Sequence, residues 1–322
     1  MKKRRHHVSA VLFVLLGVAT ACATETANEP RQLRLIRMST GPEGGGFFPL
    51  GEEIAASLRG RMKDLDIRTI ASTGGIANVR AIQHGEADLG LTFADIAYTA
   101  FSGQLDPGGI PMDRLRGIAV LQLSPISLTV RAGAGISSPA DIRGKIIGIG
   151  PPGSATAVTA KLILHAFGLD PPLVRIETLA FQEAATRLLE GTVDAMFDNA
   201  VIQADSVKRA MHGGAKLIPI VGPSVDALRR EYPFLKLTLI PPGMYPNARE
   251  AVRTIGVDTL LICRRDMDEG LVYEVTKEFF DGLVSGSERP SLGSVELDQA
   301  SATSIPLHDG AARYYREREL QR

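Results

Sequence analysis

The sequence predicts an α/β fold built as two lobes of similar design, and three observations carry that prediction. Strand and helix signals alternate from residue 33 onward with short glycine-rich connections, the order that produces a mainly parallel sheet with helices on both faces. A unit of helix, glycine and then aspartate at the start of an apolar strand occurs twice about a hundred residues apart, at Gly85 with Asp88 and at Gly191 with Asp194, as two copies of one design would show. A chain of 322 residues, 44% hydrophobic and 22% charged, suits two domains of about 150 residues each.

The first 21 residues read as a signal peptide, not as fold. MKKRRHH is a positive stretch, VSAVLFVLLGVA an apolar run too short to span a bilayer, and ATA before Cys22 a small-residue cleavage site. Two processing routes share that cut: plain cleavage after Ala21, or a lipobox in which Cys22 is acylated and Ala19 stands in for the usual leucine. The expected location is extracytoplasmic or periplasmic, membrane-anchored in the second case. Residues 22–32 follow as a polar tether without hydrophobic period. Loss of Lys2, Lys3, Arg4 and Arg5 leaves 32 basic against 36 acidic residues, and such a chain has no field to gather nucleic acid. Beyond Cys22 the one cysteine is Cys263, inside the apolar run IGVDTLLICRR, where it reads as a small buried hydrophobe with no disulfide framework around it.

LRLIRMS is then a strand, and FFPLGEEIAASLRGRM a helix with Phe47, Leu50, Ile54 and Leu58 at helical spacing. DIRTIAS is a second strand, IANVRAIQHG a helix ended by Gly85, and ADLGLT a third strand. At three places a strand runs through glycines into a helix N-terminus: STGPEGGGFFPLG, STGGIANV and GPPGSATAV. Each leaves backbone N–H groups without intrahelical partners at the positive end of a helix dipole, at the carboxyl ends of the strands where open α/β sheets bind ligands.

The guest these turns suit is a small anion. A Walker-type phosphate loop needs Gly-Lys-Ser or Gly-Lys-Thr, and GPPGSAT carries no lysine there; TGPEGGG also lacks the Gly-x-Gly-x-x-Gly spacing. A carboxylate needs only N–H groups and hydroxyls such as those of Ser154 and Thr156. The four histidines after the signal, His84, His165, His212 and His308, show no metal-ligand spacing, and no nucleophile has a base to activate it. Neither an enzyme, a metal nor a cofactor is expected.

The set STGPEGGGFFPLG, STGGIANVRAIQHGEADLGL, GIGPPGSAT, LLEGTVDAMF, IPPGMYP and IPLHDGAARYYRE resembles the TAXI family, the extracytoplasmic solute-binding subunits of tripartite ATP-independent periplasmic (TRAP) transporters. The match runs in order over nearly all of residues 33–318. It implies a type II periplasmic-binding-protein fold, two α/β lobes closing on a ligand cleft, with no catalytic step and with separate TRAP permease subunits as partners. The expected ligand-binding residues are Thr40, Gly41, Gly45, Gly46, Phe47 and Phe48 in the first loop and Ser72, Thr73, Gly74 and Asn78 in the second. To these are added Phe93 after the third strand, then Gly153, Ser154, Thr156, Phe181 and Asn199 in the second lobe.

Departures from the family pattern sit at the same places. Phe47 and Phe48 stand where two tyrosines are common, which makes that wall more apolar; Phe47 reads equally as the start of a core-facing helix. Ala155 replaces a glycine of Gly-Ser-Gly-Thr, and Asp198 and Asn199 stand where a Gly and a Pro are more usual. Asp95 reads as a helix N-cap in preference to a cleft residue. The chain is expected to cross between lobes near Ser124 and Pro125 and again between Arg253 and Cys263, giving lobe 1 as 33–123 plus 256–322 and lobe 2 as 124–255. The function implied is capture of a small carboxylate, an amino acid or dicarboxylate, by a monomer; the alternative is an exported receptor of the same fold feeding a sensor kinase.

Overall fold

The computed structural model describes residues 33–43, 45–106, 108–199, 203–285, 295 and 297–320. The signal peptide, Cys22 and the tether lie outside the described residues.

The first lobe is built from three parallel strands, β1 (Arg34–Ser39), β2 (Leu65–Ile70) and β3 (Leu89–Phe93), with β1 between the other two. Helix α1 (Phe47–Arg61) joins β1 to β2, and α2 (Gly75–His84) joins β2 to β3. Phe47, Leu50, Ile54 and Leu58 are all buried, as their spacing predicts. Gly51 sits among them because a Cβ there would lie 2.2 Å from the Thr40 methyl, so α1 packs directly on the end of β1. Helix α3 (Ala94–Phe101) then leads to β4 (Leu115–Val130), a 16-residue strand.

The second lobe repeats the plan. Parallel strands β5 (Ile146–Gly148), β6 (Arg175–Glu177) and β7 (Ala195–Asn199) carry helices α4 (Ala155–Ala166) and α5 (Phe181–Glu190) between them, followed by α6 (Asp205–His212). Strand β8 (Lys216–Ile218), α7 (Pro223–Glu231) and β9 (Lys236–Ile240) precede β10 (Val252–Arg264), and α8 (Glu269–Ser285) and α9 (Asp309–Glu319) end the described chain. Apolar residues of both faces fill the core, Phe197 and Phe279 among the largest, and Cys263 is buried with its thiol pKa pushed up by desolvation.

The ten strands follow the order β2-β1-β3-β10-β4-β7-β5-β6, with β8 beside β4 and β9 beside β10. Strands joined by helices are parallel, as the alternation predicts, but the expectation of a mainly parallel sheet is corrected at β4, β8, β9 and β10, whose pairings are antiparallel. The reason lies in connectivity. Strand β4 pairs with β10 through Pro125 and with β7 from Ile126 onward, while β10 pairs with β9 up to Gly256 and with β3 from Thr259. These two long strands run antiparallel to each other, each changing partner along its length, and a passage out of a lobe and back cannot be parallel to itself.

The helix, glycine and aspartate units prove structurally equivalent. Gly85 (φ 76°) and Gly191 (φ 79°) both end their helices in the left-handed region, where glycine carries no Cβ penalty. Asp88 accepts from the Arg37 N–H at 2.9 Å and pairs with Arg264, and Asp194 accepts from the Ile146 N–H at 3.1 Å and pairs with Arg131 at 2.7 Å. Each carboxylate clamps the start of its strand to the neighbouring strand, at the end of the sheet away from the helix N-termini.

Candidate functional site

The carboxyl ends of β1, β2 and β3 face the ends of β5 and β7 across a narrow cleft. Its first-lobe wall is Pro42, Gly45, Gly46 and Phe47 at the start of α1, Thr73, Gly74 and Gly75 at the start of α2, and Phe93 before α3. The opposite wall is Ser154, Ala155 and Thr156 at the start of α4, Phe181 at the start of α5, and Asp198 and Asn199 at the end of β7. All three glycine turns singled out in the sequence therefore meet at one place. Space between the walls is about 30 Å³, room for a few water-sized groups. Depressions of about 390 Å³ beside Lys216 and Arg249 and about 310 Å³ beside Lys236 and Asp258 lie elsewhere, and neither receives a helix N-terminus.

Each turn is shaped by local chemistry. Gly74 takes φ 122°, and the Ser72 hydroxyl accepts its N–H at 3.0 Å. Gly150 takes φ 88°, where a Cβ would lie 2.9 Å from the Ser154 hydroxyl and 3.1 Å from the Phe181 ring, so the turn before α4 tolerates no side chain at that point. Ser154 caps α4 by accepting from the Ala157 N–H at 3.2 Å, which leaves the N–H groups of Ala155 and Thr156 without an intrahelical acceptor and the serine proton free to donate. Phe47 and Phe93 pack with ring centroids 4.7 Å apart; Phe47 is at once core and cleft wall, so its two readings are compatible.

Of the residues expected from the sequence, Gly45, Gly46, Phe47, Thr73, Gly74 and Phe93 line the first wall, and Ser154, Thr156, Phe181 and Asn199 the second. Four of the remainder stand behind it. Thr40 is buried beneath α1 and donates to the Ile70 carbonyl at 3.2 Å. Gly41 lies where a Cβ would meet Phe47 at 2.7 Å. Asn78 is spent inside the lobe: its amide donates to the carbonyls of Thr40 and Leu91, and its oxygen accepts from the hydroxyls of Ser39 and Ser72, both at 2.6 Å. Ser72 acts through that same bracket. Phe48 and Gly153 do not line the cleft. Pro42, Gly75, Ala155 and Asp198 were missing from the expected set, although each is a direct neighbour in sequence of an expected residue. Asp198 carried the strongest signal of the four, an acid at the end of the apolar run AMF.

The electrostatics are unusual in one respect: none of the described residues lining the cleft is a lysine or arginine. Positive potential comes from the starts of α1, α2 and α4, each equivalent to about half a unit charge. Two acids are buried here, Asp198 in the lining and Asp95 two residues beyond the lining Phe93. Desolvation raises Asp198 to about 7, only partly offset by the Ser206 hydroxyl, which donates to it at 2.8 Å. Asp95 is raised to about 6, again by desolvation, against the Ile96 N–H that it accepts at 2.8 Å. Its N-cap reading is corrected, since α3 starts at Ala94 and Asp95 occupies the first turn. From there Asp95 accepts from the Thr159 hydroxyl of α4 at 3.5 Å, a polar contact from one lobe to the other. Among the described residues no group of His, Cys, Asp and Glu is arranged to hold a metal ion, and no helix is long and apolar enough to cross a membrane.

The NMT1-like family profile matches residues 38–318. The chain belongs to the NMT1-like family. Solved structures agree with the fold. The chain is similar to MatC from Rhodopseudomonas palustris with bound malate, at 16% identity and TM-score 0.58 over 89% of this chain and 97% of that one. It is also similar to the periplasmic binding protein BugD, at 14% identity and TM-score 0.57 over 89% and 94%. A third is PhnD1 from Prochlorococcus marinus in complex with methylphosphonate, at 12% identity and TM-score 0.55 over 89% and 98%. At these identities the likeness is one of fold: this NMT1-like chain has the two-lobed α/β architecture of periplasmic binding proteins.

Proposed function

We propose that the protein captures a small carboxylate, of the amino acid or dicarboxylate kind, and delivers it to membrane permease subunits as the TAXI-type solute-binding subunit of a TRAP transporter. The observation that carries this reading is the meeting of three helix N-termini from two lobes on one cleft. A carboxylate there is held by backbone N–H groups and hydroxyls in a site shielded from water, where helix-end interactions reach about 2 kcal/mol apiece instead of the few tenths usual at a surface. Bridging both walls gives the ligand its differential affinity for the closed state, which is what links binding to closure.

MatC with malate and PhnD1 with methylphosphonate, both of the same fold, hold small anions. Export by the leader of residues 1–21 belongs to the same proposal, as does anchoring through Cys22. No catalytic step enters it. Calorimetry and thermal shift with a panel of mono- and dicarboxylates, amino acids and, as controls, nucleotides test it: saturable binding of carboxylates and none of nucleotides is the expected result, and a protein that binds no carboxylate overturns it.

A further inference from the structure

Asn199 is a buried side chain of the cleft whose two polar atoms are both unpaired among the described residues. It is the last residue of β7, 6% exposed, and lines the cleft beside Asp198. Among the described residues neither its amide nitrogen nor its carbonyl oxygen has a hydrogen-bond partner, whereas the adjacent Asp198 accepts from Ser206. A buried amide left so keeps the full cost of its desolvation, and such groups in native proteins call for an explanation. A ligand that presents an acceptor and a donor side by side would satisfy both atoms at once, whichever way round the amide lies.

We infer that Asn199 is the specificity-determining residue of the cleft and that it selects a carboxylate bearing a hydrogen-bond donor on the adjacent carbon, an α-hydroxy or α-amino acid. This rests on the carboxylate reading and narrows it. One carboxylate oxygen accepts from the Asn199 amide while the α-hydroxyl or α-amino group donates to its carbonyl; the helix N-termini take the remaining charge. A second carboxylate fits poorly. No cationic side chain stands among the described lining residues, and an extra anion would place an acceptor against the Asn199 carbonyl and against Asp198.

The test is calorimetry on the full chain with lactate, alanine, propionate and succinate, repeated on Asn199→Leu, which keeps the side-chain volume and removes both polar atoms. In the wild type, lactate or alanine is expected to bind tenfold or more tighter than propionate, and succinate more weakly than either. In Asn199→Leu that preference collapses to within about threefold. Preference for lactate marks a neutral donor, and preference for alanine a cationic one with Asp198 as its neighbour; both support the inference. Propionate or succinate binding as tightly as lactate and alanine in the wild type overturns it and leaves the carboxylate reading standing, and this comparison does not depend on the variant folding. A preference that survives in a folded Asn199→Leu overturns it as well. Failure of all four probes, together with failure of the wider carboxylate panel, overturns both.

Discussion

Asp198 and Asp95 each occupy a place where an ionised carboxylate has left water for walls that hold no cation. The unfolded chain releases such protons near 3.8, and the native chain holds them to about 7 and about 6. The native state therefore binds more protons between those values, and stability falls as pH rises through that window, then levels off. His308 acts in the opposite sense. Burial pushes its pKa down from 6.5, so its contribution is lost as pH falls below that value. A variant difference separates the two effects. Asp198→Asn keeps the bond from Ser206 and removes the ionisation, so its Tm should match the wild type near pH 4 and exceed it by several degrees at pH 8; a difference independent of pH would contradict the assignment. This acid was legible in the sequence as a carboxylate ending an apolar run, but its burial was not, because burial depends on the lobe that covers it. Asn78 shows the converse. It follows the STGG turn as a ligand contact would, and only the structure places Ser39, Thr40 and Leu91 around it.

At the scale of elements, helices and their ends were the most legible part of the chain, because their signals are local. Gly85 and Gly191 end α2 and α5 in the left-handed region, and the apolar spacing of α1 matches its buried face. The antiparallel course of β4 and β10 was less so, since an apolar run does not state the direction of its partner. Their pairing also creates a position no local rule identifies. Gly256 lies opposite Pro125, where β4 leaves β10 for β7 and the pairing of β10 with β9 ends, and a Cβ there would lie 2.5 Å from the Ser124 carbonyl and 3.1 Å from Thr238. Gly256→Ala must spread the two strands, at a cost of about 1–3 kcal/mol typical of overpacking. Chemical denaturation should show that loss, whereas Gly60→Ala on α1, with nothing within 4 Å of the added methyl, should be neutral or mildly stabilising. Equal effects at the two glycines would contradict the packing account of the crossing.

For the whole molecule, the cleft combines features that separately mean little: helix ends without cations, buried acids on both sides and an amide without partners. On the proposed reading their joint placement favours a guest that is negative at one end and offers a donor beside it, and Asp95 contacts Thr159 of the other lobe. The three helix ends were present in the sequence as glycine turns, but their meeting depends on how β4 and β10 set one lobe against the other. The most direct measurement is a crystal structure of the full chain with the tightest-binding carboxylate of the panel. The account predicts the carboxylate within 3.2 Å of backbone N–H groups at the starts of α1, α2 or α4, bridging both lobes. A ligand seated instead in the depression beside Lys216 and Arg249, or held by one lobe alone, would contradict it.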